Sequence, residues 1–280
     1  QTVALRQSHP NTAPVGYGRR VISPTPRVIA VANQKGGVGK TTAVVNLSAS
    51  IALLGHRVLV IDLDPQGNAS TGLGINIREL ERSVYDVLLQ EVPIEDVVQS
   101  SVVKGLFVVP ANLDLAGAEI ELVPMMGRET RLRKAVDRVA ADYDYVFIDC
   151  PPSLGLLTVN ALSAAQEVLV PVHCEYYALE GLAQLLRNIE LVNNNLNPQL
   201  QVSTILCQMY DSRTKLSADV VNELRAHPLL GPKVLRSVIP RNVKIAESPS
   251  HGQPAVVLEP HSSGAKAYIA AAQEVVNGRA

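Results

Sequence analysis

The chain has 280 residues, 47% of them apolar and 18% charged, with two Phe and no Trp. Such a composition excludes a wholly disordered chain and leaves Val, Ile, Leu and Ala to fill the core, as buried parallel strands require. The net charge of −1 excludes a uniformly basic or acidic protein, yet it is uneven. Residues 1–30 carry four Arg and no acid, residues 31–200 carry 12 basic and 20 acidic side chains, and residues 201–280 carry 9 and 6.

Residues 1–26, with Pro10, Pro14, Pro24 and Pro26 among polar and small residues, read as a disordered basic tail. The remainder, 27–280, reads as a single domain. "RVIAVAN" (27–33) is a β-branched run and predicts a buried strand. A glycine loop follows, then "KTTAVVNLSASIALLG", a helix stopped at Gly55, and "RVLVIDLD" (57–64), a second strand. Together they form a right-handed βαβ unit.

Residues 65–105 are less regular, with a helix expected near 83–90. "GLFVVPA" predicts a third strand, "ETRLRKAVDRVAADY" a helix, and "DYVFIDCPP" (144–152) a fourth strand ending in an acid. Strands at 167–174 and 202–210 flank a helix at 179–194. A helix near 215–227, a short strand at 234–239 and a last helix from about Ser263 complete the chain. Alternating strands and helices predict an α/β fold: one doubly wound, mostly parallel sheet with helices on both faces.

Chemistry concentrates in the first loop, "ANQKGGVGKTT" (32–42). Its second half satisfies the phosphate-binding pattern G-x-x-x-x-G-K-[ST], whereas Gln34 stands where the first glycine belongs and Lys35 stands beside it. Around Gly36, Gly37, Val38 and Gly39 the backbone N–H groups can wrap a phosphate, and the helix N-terminus adds its positive end. Lys40 is expected on the β- and γ-phosphates and Thr41, followed by Thr42, on Mg²⁺. Asp62, Asp64 and Asp149 end strands above this loop. An acid there can hold Mg²⁺, or orient and deprotonate an attacking water.

K-G-G-V-G-K-T-T followed by D-L-D-P-Q-G-N resembles the deviant Walker-A ATPases, the class that includes ParA, MinD and the nitrogenase iron protein. With "NLDLAGAEIEL", "YDSRTKLS" and "IPRNVKIAESPSHGQP", residues 27–275 resemble the chromosomal ParA (Soj) partition ATPases. The resemblance implies a P-loop NTPase fold, ATP and Mg²⁺ as cofactors, and slow ATP hydrolysis accelerated by a ParB-type centromere-binding partner. It implies that Lys35 reaches the phosphates of the other subunit in an ATP-dependent homodimer. Asp64 would serve the hydrolytic water, and Thr41, Asp62 and Asp149 the metal.

On the same ground Gln208, Met209, Pro240 and Asn242 would approach the adenine. Arg213, Lys215, Arg241 and Lys244 would bind double-stranded DNA without sequence preference, with Lys233, Arg236 and Lys266 as possible additions. The expected setting is cytoplasmic and nucleoid-associated, without a membrane. No apolar run reaches the roughly 18 residues of a membrane helix, and Cys150, Cys174 and Cys207 form no C-x-x-C pair. The main alternative is a MinD-like membrane-associated positioning ATPase. Its amphipathic anchor is not evident in "SSGAKAYIAAAQEVVNGRA". A third class on this fold, an ATP-dependent amide-forming synthetase, would need a dedicated substrate pocket.

Overall fold

The computed structural model describes residues 25–175 and 178–278. The expected basic tail therefore lies, except for its last two residues, outside the described residues. In chain order the elements are β1 (Arg27–Val31), α1 (Lys40–Leu53), β2 (Val58–Asp62), α2 (Asn68–Gly72) and α3 (Val84–Leu89). There follow β3 (Gln99–Ser100), β4 (Leu106–Val109), α4 (Leu115–Leu122), α5 (Arg131–Val139), β5 (Tyr145–Asp149) and α6 (Leu156–Ala164). The last are β6 (Glu167–His173), α7 (Ala178–Asn195), β7 (Gln201–Gln208), α8 (Lys215–Ala226), α9 (Val243–Glu247), α10 (Ala255–Leu258) and α11 (Ser263–Asn277).

The strands form one sheet in the order β3-β4-β2-β5-β1-β6-β7, parallel throughout except for β3 against β4. Successive residues of each strand face opposite ways, so the apolar runs feed two cores. Val28, Ala30, Leu59, Ile61, Val146 and Ile148 belong to one. Ile29, Val31, Val58, Val60 and Phe147 join α1 and α11 in the other. The predicted doubly wound fold is the one observed.

The segment 234–239 departs from expectation: it meets β7 at one isolated bridge, Ile205 to Val234, and through the N–H groups of Leu235 and Ile239, and is no strand. Between those points side chains take backbone bonds that a neighbouring strand would have used. Glu274 accepts from the N–H groups of Arg236 and Ser237, both at 2.7 Å, and Arg225 donates to the carbonyls of Leu235 and Arg236. The start of the sheet is clamped as well. Arg27 makes two hydrogen bonds to Glu167, at 2.7 and 2.8 Å, and a third to the carbonyl of Val275.

β1 sits where the topology switches, with β5 and β2 on one side and β6 and β7 on the other. Ligands of open α/β sheets bind beyond the carboxyl ends of the strands at such a point. In register, Val31 lies beside Asp149, and Asp149 beside Asp62.

Candidate nucleotide site

The loop between β1 and α1 turns through Gly37 (φ 72°) and Gly39 (φ 86°), a left-handed conformation open to glycine at little cost. Gly36 and Gly37 are exposed, while Val38 is buried and pins the loop to the core. Asn33 anchors its start: the side chain donates to the carbonyl of Pro171 in β6 (2.7 Å) and accepts from the N–H of Lys35 (3.0 Å).

The two lysines separate. Lys40 opens α1, is only 7% exposed, and donates to the carbonyl of Lys35 at 3.4 Å. Burial lowers its pKa against the opposing pull of Asp149. Lys35 instead points to the rim, where Nζ lies 3.0 Å from Glu175 Oε2 and remains 39% exposed. Glu175 also lies 3.3 Å from His173. It went unnoticed in the sequence, although it follows a buried strand much as Asp64 does.

The three strand-end acids have different tasks. Asp62 is fully buried, and both its oxygens are engaged: Oδ1 accepts from the N–H of Asp64 (3.1 Å), Oδ2 from the N–H (2.9 Å) and hydroxyl (2.7 Å) of Ser70. Burial pushes its pKa up to about 6 against these bonds. Ser70 in turn accepts from the N–H of Ala111 at the end of β4, so Asp62 ties three segments together.

Asp149 is equally buried, but neither oxygen has a hydrogen bond of good geometry. Burial and the neighbouring Asp62 raise its pKa well above the usual carboxylate range, opposed by the Thr41 hydroxyl and by Lys40. An unsatisfied buried acceptor costs about 1–3 kcal/mol, which a bound cation would relieve. Thr41 and Asp149 therefore have the chemistry to fit Mg²⁺, while both oxygens of Asp62 are already engaged within the fold. Asp64 remains partly exposed; its Oδ1 accepts from the N–H of Gln66 at 3.0 Å.

Beyond the loop, Gln208, Met209, Pro240 and Asn242 line one cleft of about 260 Å³, with Thr42, Ile239, Ile245 and Tyr268. Met209 holds φ at 52°, a left-handed conformation that is strained for a side chain of its size. Asn242 caps α9 by accepting from the N–H groups of Lys244 and Ile245, and it donates to Ser263. Its side-chain hydrogen bonds are thus made within the fold.

The bridge from Tyr210 to Pro240, reinforced by Arg241 N–H to the carbonyl of Tyr210 (3.0 Å), sets the loop after β7 beside the segment before α9. This sets Arg241 beside the loop that carries Arg213 and leads to Lys215, with Lys244 in the first turn of α9. Arg213 is 85% exposed but doubly bonded to Asp211, whose carboxyl it holds down to about 2. Lys244 lies 3.2 Å from Glu259 and 3.8 Å from Glu247. Lys215 opens α8, where a cation opposes the helix dipole unless an anion is near.

A glycine loop of left-handed turns backed by a buried lysine, next to an orphaned carboxylate at a switch point, makes the molecule a P-loop nucleoside triphosphatase. A family model described as an AAA domain matches residues 26–202. The sporulation initiation inhibitor protein Soj of Bacillus subtilis is 51% identical over 249 residues, spanning 89% of this chain and 98% of Soj. The chromosome partitioning protein ParA of Caulobacter vibrioides is 50% identical over 253 residues, covering 90% and 94%. Among solved structures, the cobyrinic acid a,c-diamide synthase of Mycobacterium smegmatis with bound ATP analog and magnesium aligns with a TM-score of 0.78. It is 41% identical, covering 90% of this chain and 95% of that one. The chain belongs to the ParA/Soj family of P-loop ATPases.

Proposed function

We propose that this chain is an ATP-driven dimerising switch that binds DNA without sequence preference and partitions chromosomes with a ParB-type partner, in the cytoplasm on the nucleoid. The observation that carries the reading is the divergence of the two loop lysines: Lys40 is buried against its own site, whereas Lys35 stands at the rim. A second cation directed outwards is what two facing ATP molecules require, because their excess negative charge would otherwise repel.

In this reading the amides of Gly36–Gly39 bind the phosphates and Lys40 covers the β- and γ-oxygens. Thr41 and Asp149 are the residues that would hold Mg²⁺, which supplies charge neutralisation on the phosphates. Asp64, held through its N–H by Asp62, orients the attacking water and takes its proton. Loss of the γ-phosphate removes the attraction for Lys35, and the dimer opens. Turnover is slow until the partner accelerates it.

Sedimentation of the wild type and Lys35→Ala, each with ATP and with ADP, tests the switch. Lys35→Ala should bind ATP yet remain monomeric; loss of ATP binding itself would refute the role in trans. DNA binding measured in the same nucleotide states, beside vesicle flotation, separates this reading from a MinD-like membrane ATPase. Among the described residues no helix is long and apolar enough to cross a membrane.

Amide synthesis is a second reading, favoured by the name of the Mycobacterium smegmatis structure. Release of ammonia from glutamine by this chain would require an accessible thiolate. All three cysteines are buried, and burial pushes the Cys150 thiol up. Glutamine-dependent ammonia release in the presence of ATP would favour that reading.

A further inference from the structure

Gln208 was expected at the adenine, but its amide is turned towards the phosphate loop. It ends β7, is 2% exposed, and its Nε2 donates to the carbonyls of Val38 (3.2 Å) and Gly39 (3.1 Å). Its Oε1 accepts from the hydroxyl of Tyr268, a fully buried residue of α11. The side chain also lies flat against Gly39, where a Cβ would stand 3.0 Å from Oε1.

The consequence follows from peptide geometry. In a trans peptide the C=O of one residue and the N–H of the next point in opposite directions. The Gly39 carbonyl also accepts from the N–H of Ala43 in the first turn of α1 (2.8 Å), and Gln208 adds a second donor to it; the Val38 carbonyl, held towards Gln208, turns the N–H of Gly39 the other way, away from Gln208. The Tyr268 hydroxyl decides which way round the amide sits. A hydroxyl donating to Oε1 leaves Nε2 for the two carbonyls, whereas a flipped amide would set an oxygen against them. Gln208 and Tyr268 also line the cleft beside the loop, so the same pair joins the two halves of the site.

We infer that Gln208, oriented by Tyr268, is a positioning residue that aims the amide of Gly39, and steadies that of Lys40, at a bound polyphosphate, rather than a reader of the base. The inference rests on the assignment of this loop to ATP.

The test uses Gln208→Met, which keeps the length but loses the donor, and Tyr268→Phe, which keeps the ring in the core but frees the amide to flip. Affinities for ATP, ADP and GTP are measured by calorimetry beside the melting temperature. Both variants should bind ATP and ADP about tenfold more weakly, as expected for losing one to two buried hydrogen bonds. The ratio of ATP to GTP affinity should stay at the wild-type value. Should Gln208→Met prove unstable, Tyr268→Phe alone carries the test. A shifted ATP-to-GTP ratio would make Gln208 a base reader and overturn the inference. So would wild-type affinity in Tyr268→Phe, or a lowered melting temperature with unchanged nucleotide binding. Failure of the wild type to bind ATP or ADP would instead remove the functional reading itself, and the inference with it.

Discussion

Replacing Glu175 by Gln should strengthen ATP-dependent dimerisation. Lys35 cannot serve a neighbouring subunit's nucleotide while its ammonium sits 3.0 Å from Glu175 in its own subunit. The lysine holds the Glu175 carboxyl below its usual range. The two side chains are 39% and 50% exposed, and such a pair contributes about 0.2–1 kcal/mol. A symmetric dimer must break it twice, at a total cost of about 0.4–2 kcal/mol, or roughly a 2- to 30-fold change in the association constant. The assay is sedimentation velocity with ATP in an Asp64→Ala background, where slow hydrolysis keeps the dimer measurable. The gain should shrink in high salt, which screens an exposed pair. Added to Lys35→Ala, which should remain monomeric, Glu175→Gln should restore no dimer, because the lysine is absent whatever stands at 175. An unchanged or weaker dimer in Glu175→Gln would refute the reasoning and leave Glu175 a supporting part of the interface.

Asp149→Asn should raise the melting temperature of the nucleotide-free protein, since it removes a buried carboxylate without hydrogen bonds, and should abolish the extra stabilisation that Mg²⁺ gives to ATP. Thermal scans with and without Mg²⁺ read both effects; a destabilised protein that still responds to Mg²⁺ would contradict them. At Glu167, burial pushes the pKa up, but the hydrogen bonds and charge of Arg27 outweigh it and leave the carboxyl below its usual range. A depressed folded pKa gives stability that is present above the unfolded value of about 4.3 and is lost as pH falls through the folded one. Glu167→Gln should therefore cost about 1.5–3 kcal/mol at pH 7 by urea unfolding, a cost that shrinks steadily as pH falls below the unfolded value. For DNA, Arg241→Ala and Lys215→Ala should each reduce the salt slope of binding by about one, whereas Lys244→Ala, already paired with Glu259 and Glu247, should change it little. Equal effects at all three positions would show that the Lys244 pairs open on DNA.

The elements were legible where the signal is local. Runs such as "VLVID" and "YVFID" are short, apolar and β-branched, and each proved a central strand buried along its whole length. The loop from 32 to 42 announced its chemistry through glycines and a lysine that need only their immediate neighbours. The stretch at 234–239 misled because β propensity does not reveal that Glu274 and Arg225 will take the backbone bonds. Asp62 and Asp149 looked alike for the same reason: each is an acid after an apolar run, and only the arrival of Ser70 distinguishes the engaged carboxylate from the orphaned one.

By itself, then, the sequence determined the alternation of strands and helices, the turn that can bear a phosphate, and the presence of a second lysine at its edge. Tertiary structure decided what each polar group is for. Lys35 meets Glu175 across 140 residues, and Gln208 meets Gly39 across 169. Such meetings depend on strand order and register, with β1 between β5 and β6 and β7 at the far edge. No local spacing encodes that order. It is set by how two apolar faces are covered at once, and the direction of a buried amide or carboxylate follows from whichever donors that packing delivers.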